Sequence, residues 1–258
     1  MKSGFSRRRL LAGLLAGTGT ALLSGCDRMT QSAGFSSVLR NTEKLTMTGQ
    51  RLLLGRDSLA PEYSLADLSP VFRANGTQSP DSDEYQQLLE NEFTEWRLQV
   101  DGLVQQPLSL SLADLKRLPS RTQITRHDCV EGWSAIGQWQ GVHLGRILDL
   151  ARLKPGARYV AFHCADELEV TFDGSGRYYE SIDLLDAYHP QTILAYAMNG
   201  KDLPVAHGAP LRLRVERHLG YKHAKYLMRI EVVSSFDALW GGRGGYWEDR
   251  GYEWYAGI

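Results

Sequence analysis

The sequence predicts an α+β fold of mixed sheets and short helices in a single domain. Stretches of alternating apolar and polar residues are interspersed with short helical patterns, without a regular strand–helix–strand rhythm. The chain has 258 residues, 43% hydrophobic and 23% charged, which is ordinary for a globular protein with one substantial core. The net charge of −1 argues against a nucleic-acid-binding protein or one that binds acidic membranes.

Short helices are predicted where a capping residue precedes apolar residues at helical spacing. They cover residues 83–92, 111–117, 144–153 and 181–187. Ser82 is the candidate N-cap of the first helix, and Ser111 with Asp114 resembles a capping box that opens the second. Residues 61–82, which precede these helices, are rich in Pro, Asn and Gly and are expected to be irregular.

Strands are predicted where residues alternate or where a short apolar run is bounded by turn residues. They cover residues 96–100, 122–125, 159–162, 169–172, 192–197, 211–215 and 225–233. Turn signals follow three of them, at Asp101-Gly102, Asp173-Gly174 and Asn199-Gly200. In the last strand, one face is expected to carry Tyr226, Met228, Ile230 and Val232.

The N-terminus resembles a bacterial export signal. Arg7, Arg8 and Arg9 precede an apolar run to Leu23, a pattern typical of twin-arginine export, with a Sec signal as the alternative. The run is too short for a comfortable membrane span. Its end, at Leu23-Ser24-Gly25-Cys26, resembles a lipobox, so Cys26 is predicted to carry a lipid anchor; cleavage nearby by ordinary signal peptidase is the alternative.

This N-terminal pattern predicts three regions. Residues 1–25 are the twin-arginine and lipoprotein signal peptide, residues 26–60 a linker from the lipid anchor, and residues 61–258 the functional domain. The mature protein is therefore expected in the periplasm, tethered to a membrane through lipidated Cys26. Because twin-arginine export carries folded proteins, it also suits a protein that acquires a cofactor in the cytoplasm.

The chain has three cysteines, and lipidation of Cys26 leaves Cys129 and Cys164. One possibility in an oxidising compartment is a disulfide between these two. Alternatively, the Cys129 thiolate is a single soft metal ligand. The spacing of nearby histidines makes a poor zinc pattern. A third possibility is a cysteine nucleophile, with a base drawn from His127, His143, His163, His207 and His223.

A basic stretch follows far along the chain. It contains the cations Arg212, Arg214, Arg217, Lys222 and Lys225, with His207, His218 and His223 beside them. Arginine and lysine bind phosphate groups, so the stretch is suited to an anionic cofactor. The alternative is that Arg212 and Arg214, two residues apart, lie on a solvated strand face.

Several motifs together resemble the sulfite oxidase family of molybdenum enzymes. They occur at Asp128-Cys129-Val130-Glu131-Gly132-Trp133-Ser134, at residues 139–142, at residues 195–204, at residues 207–212 and at residues 220–227. Their order and spacing are similar to those of the bacterial periplasmic branch, which includes the catalytic subunit of the methionine sulfoxide reductase system. The resemblance runs from about residue 70 to residue 246 and implies a sulfite-oxidase-type molybdopterin-binding fold.

The resemblance also implies a set of site residues. Molybdenum is held in the family by one pyranopterin dithiolene and one cysteine, which Cys129 matches. Positions matching the family's pterin contacts are Asn75, Cys164, His207, Arg212, His223, Ala224 and Lys225, and Cys164 stands where the methionine sulfoxide reductase branch has threonine. Candidate substrate contacts are Arg126, Arg243 and Tyr246, although the C-terminal aromatic residues could instead clasp the core.

The predicted function is therefore that of a molybdopterin-dependent oxidoreductase. It carries out oxygen-atom transfer or related two-electron chemistry on a small substrate, for which a sulfur-containing compound is a candidate. The sequence has no Cys-x-x-Cys-His haem motif and ends without the dimerisation domain of eukaryotic sulfite oxidases. Electrons are thus expected to pass between a monomeric catalytic unit and a separate membrane cytochrome or other redox partner. Two alternatives are a metal-free lipoprotein binding module and a cysteine-nucleophile enzyme.

Overall fold

The computed structural model describes residues 33–55 and 57–258, with side chains from residue 42 onward. The predicted signal peptide and Cys26 lie outside the described residues, as does the start of the predicted linker. Helix α1 covers Ala33–Leu54. The chain divides into two units at the C-terminal end of this helix, and the second unit is Leu54–Ile258. No described helix is both long enough and apolar enough to cross a membrane.

The described part of the second unit mixes helices, strands and single 3-10 turns. Its helices are α2 (Asp83–Glu90), α3 (Leu112–Arg117), α4 (Leu144–Ala151) and α5 (Leu184–Ala187). Its strands are β1 (Arg97–Gly102), β2 (Leu108–Ser111), β3 (Ser120–Asp128), β4 (Ser134–His143), β5 (Tyr159–Glu167), β6 (Arg177–Asp183), β7 (Ile193–Met198), β8 (Lys201–Asp202), β9 (Arg212–Arg214) and β10 (Leu227–Val233). Two of the 3-10 turns, Val205–His207 and Gly220–Lys222, lie in the basic stretch.

The strands form two sheets. The first has five strands in the order β2-β1-β10-β5-β6, and the second runs β3-β4-β7-β8 with β9 paired to β7. The pair β1–β10 is parallel, whereas the other pairs of both sheets are antiparallel. This confirms the predicted α+β fold with mixed sheets and short helices.

Two predicted caps are confirmed by their hydrogen bonds. The Ser82 hydroxyl accepts from the backbone N–H of Tyr85 at 3.4 Å at the start of α2. At the start of α3, the Ser111 hydroxyl accepts from Asp114 N at 3.1 Å, while the Asp114 carboxylate accepts from Ser111 N at 2.9 Å. Each pair satisfies backbone donors that the first helical turn leaves free.

Three details of the strand and helix predictions are wrong. Residues 169–172 form no strand; they belong to the β5–β6 connection, where Val170 and Phe172 are exposed and no ladder partner lies alongside. The segment from Ser181 continues β6, and the helix begins only after Asp183, whose side chain caps it. A register shift between Leu227 and Arg229 breaks the alternation of β10, so the expected single apolar face is divided.

One hydrophobic core joins the two sheets. It contains Leu98 and Phe162 from the first sheet, Leu194 and Leu213 from the second, and Ile147 from α4, all fully buried. Ends of β3, β5, β6 and β9 meet beside this core, together with irregular residues 72–77 and the two 3-10 turns of the basic stretch. A rigid core thereby supports a wall of irregular segments, and the candidate site lies in that wall.

Candidate functional site

Cys129 occupies a tight loop between β3 and β4. Its backbone N–H donates to the carbonyl of Trp133 at 2.9 Å, and its own carbonyl accepts from Gly132 N at 3.0 Å. Gly132 has φ +86°, a conformation that residues with a Cβ rarely adopt, which explains the glycine at this position. The loop fixes the thiol while leaving it 8% exposed.

The thiol faces a cavity of about 270 Å³, here called the Cys129 cavity. Its wall comes from residues 72–77, 127–133, 206–212 and 220–225, completed by single residues from the first sheet and the C-terminal segment. The motifs marked most of residues 127–133, 206–212 and 220–225, and Asn75 was a matching position within residues 72–77. The structure therefore brings distant motifs together around one thiol.

Asn75 is the direct neighbour of the thiol. Its amide nitrogen Nδ2 lies 3.4 Å from Cys129 Sγ. The Asn75 segment is held from behind by Phe72, whose ring contacts Trp139 and His207 edge-on at centroid distances of 5.3 and 5.6 Å. A side-chain amide can donate to a thiolate, so Asn75 is placed to stabilise the ionised form.

Arg212 is a buried cation whose hydrogen-bond partners are carbonyl groups. Its Nη1 and Nη2 donate to the carbonyls of His207 at 2.9 Å and His223 at 3.4 Å, while its Nε is buried without a partner. Burial and the nearby charge of Arg214 lower the pKa of Arg212 to about 9. A guanidinium in this position favours a bound anion, since anion binding offsets the desolvation of the charge.

Lys225 is held by the loop that carries Asn75. Its ammonium donates to the carbonyls of Asn75 at 2.8 Å, of Ala206 at 3.3 Å and of Thr77. Burial and Arg212 lower the pKa of Lys225 to about 8, and burial raises the pKa of nearby Asp166 to about 6 against the opposing effect of Lys225. Lys225 thus connects two segments of the cavity wall, residues 72–77 and residues 206–212, through hydrogen bonds.

Burial, and after it the nearby positive charges, lowers the pKa of the histidines of the cavity. Burial, with Arg212 and Lys225, lowers the pKa of His207 to about 4. The pKa of His223 is also lowered, first by burial and then by Arg214. His223 Nε2 lies 3.1 Å from the carbonyl of His218, and its Nδ1 is buried without a partner. Unpaired Arg212 Nε and His223 Nδ1 leave a donor and an acceptor for a polar, anionic ligand.

The two remaining predicted cofactor contacts lie behind the wall. Ala224 is fully buried, and its carbonyl accepts from Leu213 N at 2.8 Å, which joins the two ends of the basic stretch. Cys164 is buried on β5 opposite Leu227, outside the residues that line the cavity. Burial raises the pKa of its thiol well above the usual range. Cys129 and Cys164 are both free thiols, so the alternative of a disulfide between them is wrong.

The predicted substrate contacts are not brought to the Cys129 cavity. Arg126 pairs with Asp128 at 2.9 Å and lines a separate cavity of about 220 Å³. Tyr246 is buried beneath the guanidinium of Arg250, which lies 3.6 Å from its ring centroid. Arg243 is exposed and does not line the Cys129 cavity. From the C-terminal segment, Trp247 and Tyr252 line it instead.

The cations of the basic stretch divide into two groups. Arg212 and Lys225 line the cavity. Arg214, Arg217 and Lys222 serve the fold: they pair with Glu216 at 2.6 Å, with Asp186 at 2.6 Å and with Glu248 at 2.6 Å, respectively. Because Arg212 and Arg214 are both buried, the alternative of a solvated strand face is wrong.

Sequence reasoning missed several wall residues. Glu131 lies two residues after Cys129 and accepts from Trp133 Nε1 at 3.1 Å, and both line the cavity with Asp166 and Tyr178. Glu131 and Trp133 belong to the motif around Cys129, and their place in that motif could have indicated that they lie near the site. Asp166 and Tyr178 follow from the pairing of β5 with β6, which no local pattern reveals.

No histidine is placed to act as the general base for Cys129 as a nucleophile among the residues that the structure describes. Within residues 57–258, the hydrogen bond to Sγ comes from Asn75, and no histidine is bonded to it. His127, the nearest in sequence, directs Nδ1 to Arg214 at 3.0 Å. Among the side chains that the structure describes, no group of three or more His, Cys, Asp or Glu residues is placed to hold a metal by itself.

Comparison with known proteins identifies relatives. The family model for the oxidoreductase molybdopterin binding domain matches residues 85–239. A protein of Azospira oryzae, provisionally named protein-methionine-sulfoxide reductase subunit YedZ1, is 36% identical over 252 residues, which are 98% of this chain and 88% of that protein. The catalytic subunit MsrP of the Campylobacter jejuni protein-methionine-sulfoxide reductase is 33% identical over 147 residues, 54% of this chain and 49% of that protein.

Solved structures also match. Among them is the sulfane dehydrogenase SoxCD of Paracoccus pantotrophus, with a TM-score of 0.48 and 24% identity over 54% of this chain and 38% of that chain. The family match covers more than half of the present chain and includes Cys129, Arg212 and Lys225.

Proposed function

The chain belongs to the family with the oxidoreductase molybdopterin binding domain, and on this premise we propose that it is a periplasmic molybdenum enzyme that reduces sulfoxide groups, with Cys129 as the protein ligand of the metal. The main support is one juxtaposition. The Cys129 thiol shares its cavity with the buried guanidinium of Arg212, whose Nε has no partner. A soft thiolate ligand and an unpaired anion-binding cation are together what a phosphate-bearing metal cofactor requires.

The residues of the wall fit such a cofactor. Arg212 and Lys225 would hold its phosphate, and the unpaired His223 Nδ1 would accept a hydrogen bond from its heterocycle. Asn75 would donate to the Cys129 sulfur and stabilise the thiolate that binds the metal. When bound, the molybdenum cofactor supplies two-electron oxygen-atom transfer, while the protein supplies position and electrostatics.

The surroundings of Cys129 favour a neutral substrate. Val130, Glu131 and Trp133 line the cavity beside the thiol, whereas Arg126 and Arg243 do not line it. Of the arginines and lysines in the wall, Arg212 and Lys225 are assigned to the cofactor, and Arg73 is the remaining one. The negative charge of the Glu131 carboxylate disfavours an anion such as sulfite beside the thiol. Reduction of a sulfoxide consumes two electrons and two protons and releases the sulfide and water. The names of the two protein relatives specify methionine sulfoxide, and we propose methionine sulfoxide as the substrate class.

The electrons for this reaction come from a separate protein. Both protein relatives are named as subunits, which supports a partner subunit for this chain. The twin-arginine pattern at residues 7–9 and the lipobox ending at Cys26 support a periplasmic enzyme anchored beside a membrane cytochrome.

Metal analysis tests the core of the proposal. We expect the wild-type chain and Cys164→Ala to retain molybdenum when produced in a cofactor-competent host, and Cys129→Ala to lose it. A wild-type protein without molybdenum would favour the metal-free binding module, and unchanged metal in Cys129→Ala would overturn the ligand assignment. With a reduced dye as electron donor, peptide methionine sulfoxide should be reduced, and sulfite should be a poor substrate in the oxidative direction.

A further inference from the structure

His127 is a buried side chain in the wall of the Cys129 cavity. It lies on β3, two residues before Cys129, and is 6% exposed. Its ring contacts the rings of Phe72 and Trp133 at 5.7 Å and that of His223, edge to face, at 5.0 Å. The ring plane is therefore fixed by packing, and only its protonation pattern remains to be specified.

Arg214 specifies that pattern. Its Nη1 lies 3.0 Å from His127 Nδ1. A guanidinium has N–H groups and no acceptor, so Nδ1 must carry a lone pair and accept this hydrogen bond. A neutral imidazole with an unprotonated Nδ1 carries its hydrogen on Nε2. The contact with Arg214 is therefore compatible with the Nε2–H tautomer and not with the Nδ1–H tautomer.

A second buried pair holds Arg214 in place. Glu216 accepts from Arg214 Nε at 2.9 Å and from Nη2 at 2.6 Å, and both side chains are fully buried. Gln123 donates to Glu216 at 2.9 Å, and the guanidinium lies over the ring of Trp139 at 4.4 Å. These contacts fix the plane of the guanidinium and leave Nη1 directed at His127.

The opposite edge of the His127 ring faces the basic stretch. A Cβ at Gly220 would lie 2.6 Å from Nε2, so no side chain fits between this edge and Gly220, which itself lines the cavity. Within residues 57–258, no hydrogen bond engages Nε2. Neighbouring His223 has the complementary arrangement: its Nε2 donates to the His218 carbonyl at 3.1 Å, and its Nδ1 is an unpaired acceptor. The wall thus offers one imidazole donor next to one imidazole acceptor.

We propose that His127 binds the cofactor as a hydrogen-bond donor through Nε2, and that Arg214 and Glu216 are positioning residues that hold it in this tautomer. This inference rests on the proposed function, because it assumes a polar cofactor in the Cys129 cavity. A planar heterocycle with adjacent donor and acceptor atoms matches the pair formed by His127 and His223. Arg214 acts on the cofactor through the His127 ring and does not line the cavity itself.

The tautomer is tested without measuring activity. The ring nitrogens of ¹⁵N-histidine-labelled, oxidised protein are observed by NMR, and His127 is assigned by its loss in His127→Gln. We expect Nδ1 to be unprotonated and Nε2 to be protonated. A protonated Nδ1, alone or in an imidazolium, would overturn the inference. In Arg214→Gln we expect the Nδ1–H form to appear, since the amide oxygen of glutamine can accept a hydrogen bond from Nδ1–H, which a guanidinium cannot.

The cofactor contact is tested with matched variants. The amide of glutamine can donate where Nε2 does, so His127→Gln should keep the molybdenum content and reduction potential of the wild type, whereas both should be lower in His127→Phe. We expect about a fivefold loss of retained molybdenum, equivalent to about 1 kcal/mol for one hydrogen bond. The potential of the metal should fall in His127→Phe, because a donor to the cofactor stabilises its reduced form.

His189→Gln is the control for removing a buried histidine, since His189 bonds to the Ser58 carbonyl at 3.1 Å outside the Cys129 cavity. Equal molybdenum content and potential in wild type, His127→Gln and His127→Phe would overturn the cofactor contact. A wild-type protein that binds no molybdenum would instead overturn the proposed function, while the NMR result would still decide the tautomer.

Discussion

The amide nitrogen of Asn75 lies 3.4 Å from the sulfur of Cys129, although 54 residues separate the two in sequence. Asn75 belongs to an irregular segment and Cys129 to a tight hairpin loop. Lys225, in the basic stretch, donates to the carbonyl of Asn75 at 2.8 Å and so connects that stretch to the Asn75 segment. The thiol is therefore positioned by three parts of the chain.

This contact predicts different effects for two changes at Asn75. Asn75→Ala removes a donor to the thiolate, and Asn75→Asp replaces it with a like charge, which disfavours the ionised sulfur. We expect molybdenum retention to fall by a factor of several in Asn75→Ala and further in Asn75→Asp. Metal analysis measures this, with Asn91→Ala, at the end of α2, as the control. Equal retention in all of these proteins would contradict the role of Asn75.

Arg212 predicts a larger loss of cofactor. Hydrogen bonds to charged groups contribute about 1.5–3 kcal/mol, so Arg212→Ala should weaken cofactor retention about tenfold or more. The control is Arg177→Ala, because Arg177 is a surface arginine that pairs with Glu167 at 3.0 Å. Dialysis followed by metal analysis compares the two variants. Similar losses in both would show that Arg212 has no special part in retention.

Lys222 predicts a change in stability. Its ammonium lies between the fully buried carboxyl groups of Glu180 and Glu248, at 2.6 Å from the latter. Lys222→Met would remove the cation that these two carboxyl groups share and should lower the free energy of unfolding by about 3–5 kcal/mol. Urea titration measures it, with surface Lys116→Met as the control. A loss below about 1 kcal/mol would contradict a structural role for this cluster.

Glu180 predicts a pH dependence. Burial raises its pKa well above the usual range, with Glu248 adding to the effect. The folded state therefore keeps a proton that the unfolded state releases, and stability must fall as pH rises from the unfolded value towards the raised folded value. Glu180→Gln lacks this dependence, so its free energy of unfolding relative to wild type should rise between about pH 5 and 8. A constant difference across this range would contradict the raised pKa.

Gly220 predicts a steric effect on the cavity. A Cβ there would lie 2.6 Å from His127 Nε2 and 3.3 Å from the carbonyl of Asp128. Gly220→Ala should displace the His127 ring or the basic stretch and reduce molybdenum retention. Gly49→Ala meets no atom within 4 Å and should leave retention unchanged. Full retention of molybdenum in Gly220→Ala would show that the cavity wall accommodates the added methyl group without weakening cofactor binding.

The burial of Cys164 predicts a thiol that does not react with alkylating agents in the native protein. It is 4% exposed, and burial raises its pKa, so little thiolate is available for alkylation. Iodoacetamide followed by peptide mass spectrometry should find Cys164 unlabelled in the native protein and labelled after unfolding without reductant. Labelling only after reduction would indicate a disulfide and contradict the free thiol.

Local patterns in the sequence determined much of the fold. The caps at Ser82 and Ser111 and the strands that form β1, β5 and β7 follow from hydrogen-bonding groups and alternation within a few residues. The motifs also marked most segments of the cavity wall. Where alternation had no partner strand, as at residues 169–172, the same reasoning failed, because a strand is stable only when a neighbouring strand pairs with it.

Which of the marked residues meet depends on long-range packing, and local patterns do not show it. Arg212 and Arg214 have the same spacing as residues of a solvated strand, yet both are buried: one faces the cavity, and the other pairs with Glu216 and His127. Arg126 is three residues from Cys129 and lines a different cavity. The order of residues along the chain was enough to show which chemical groups are available near Cys129. Strand pairing and packing decided its geometry, because they set which side chains share a cavity and which are consumed by buried partners.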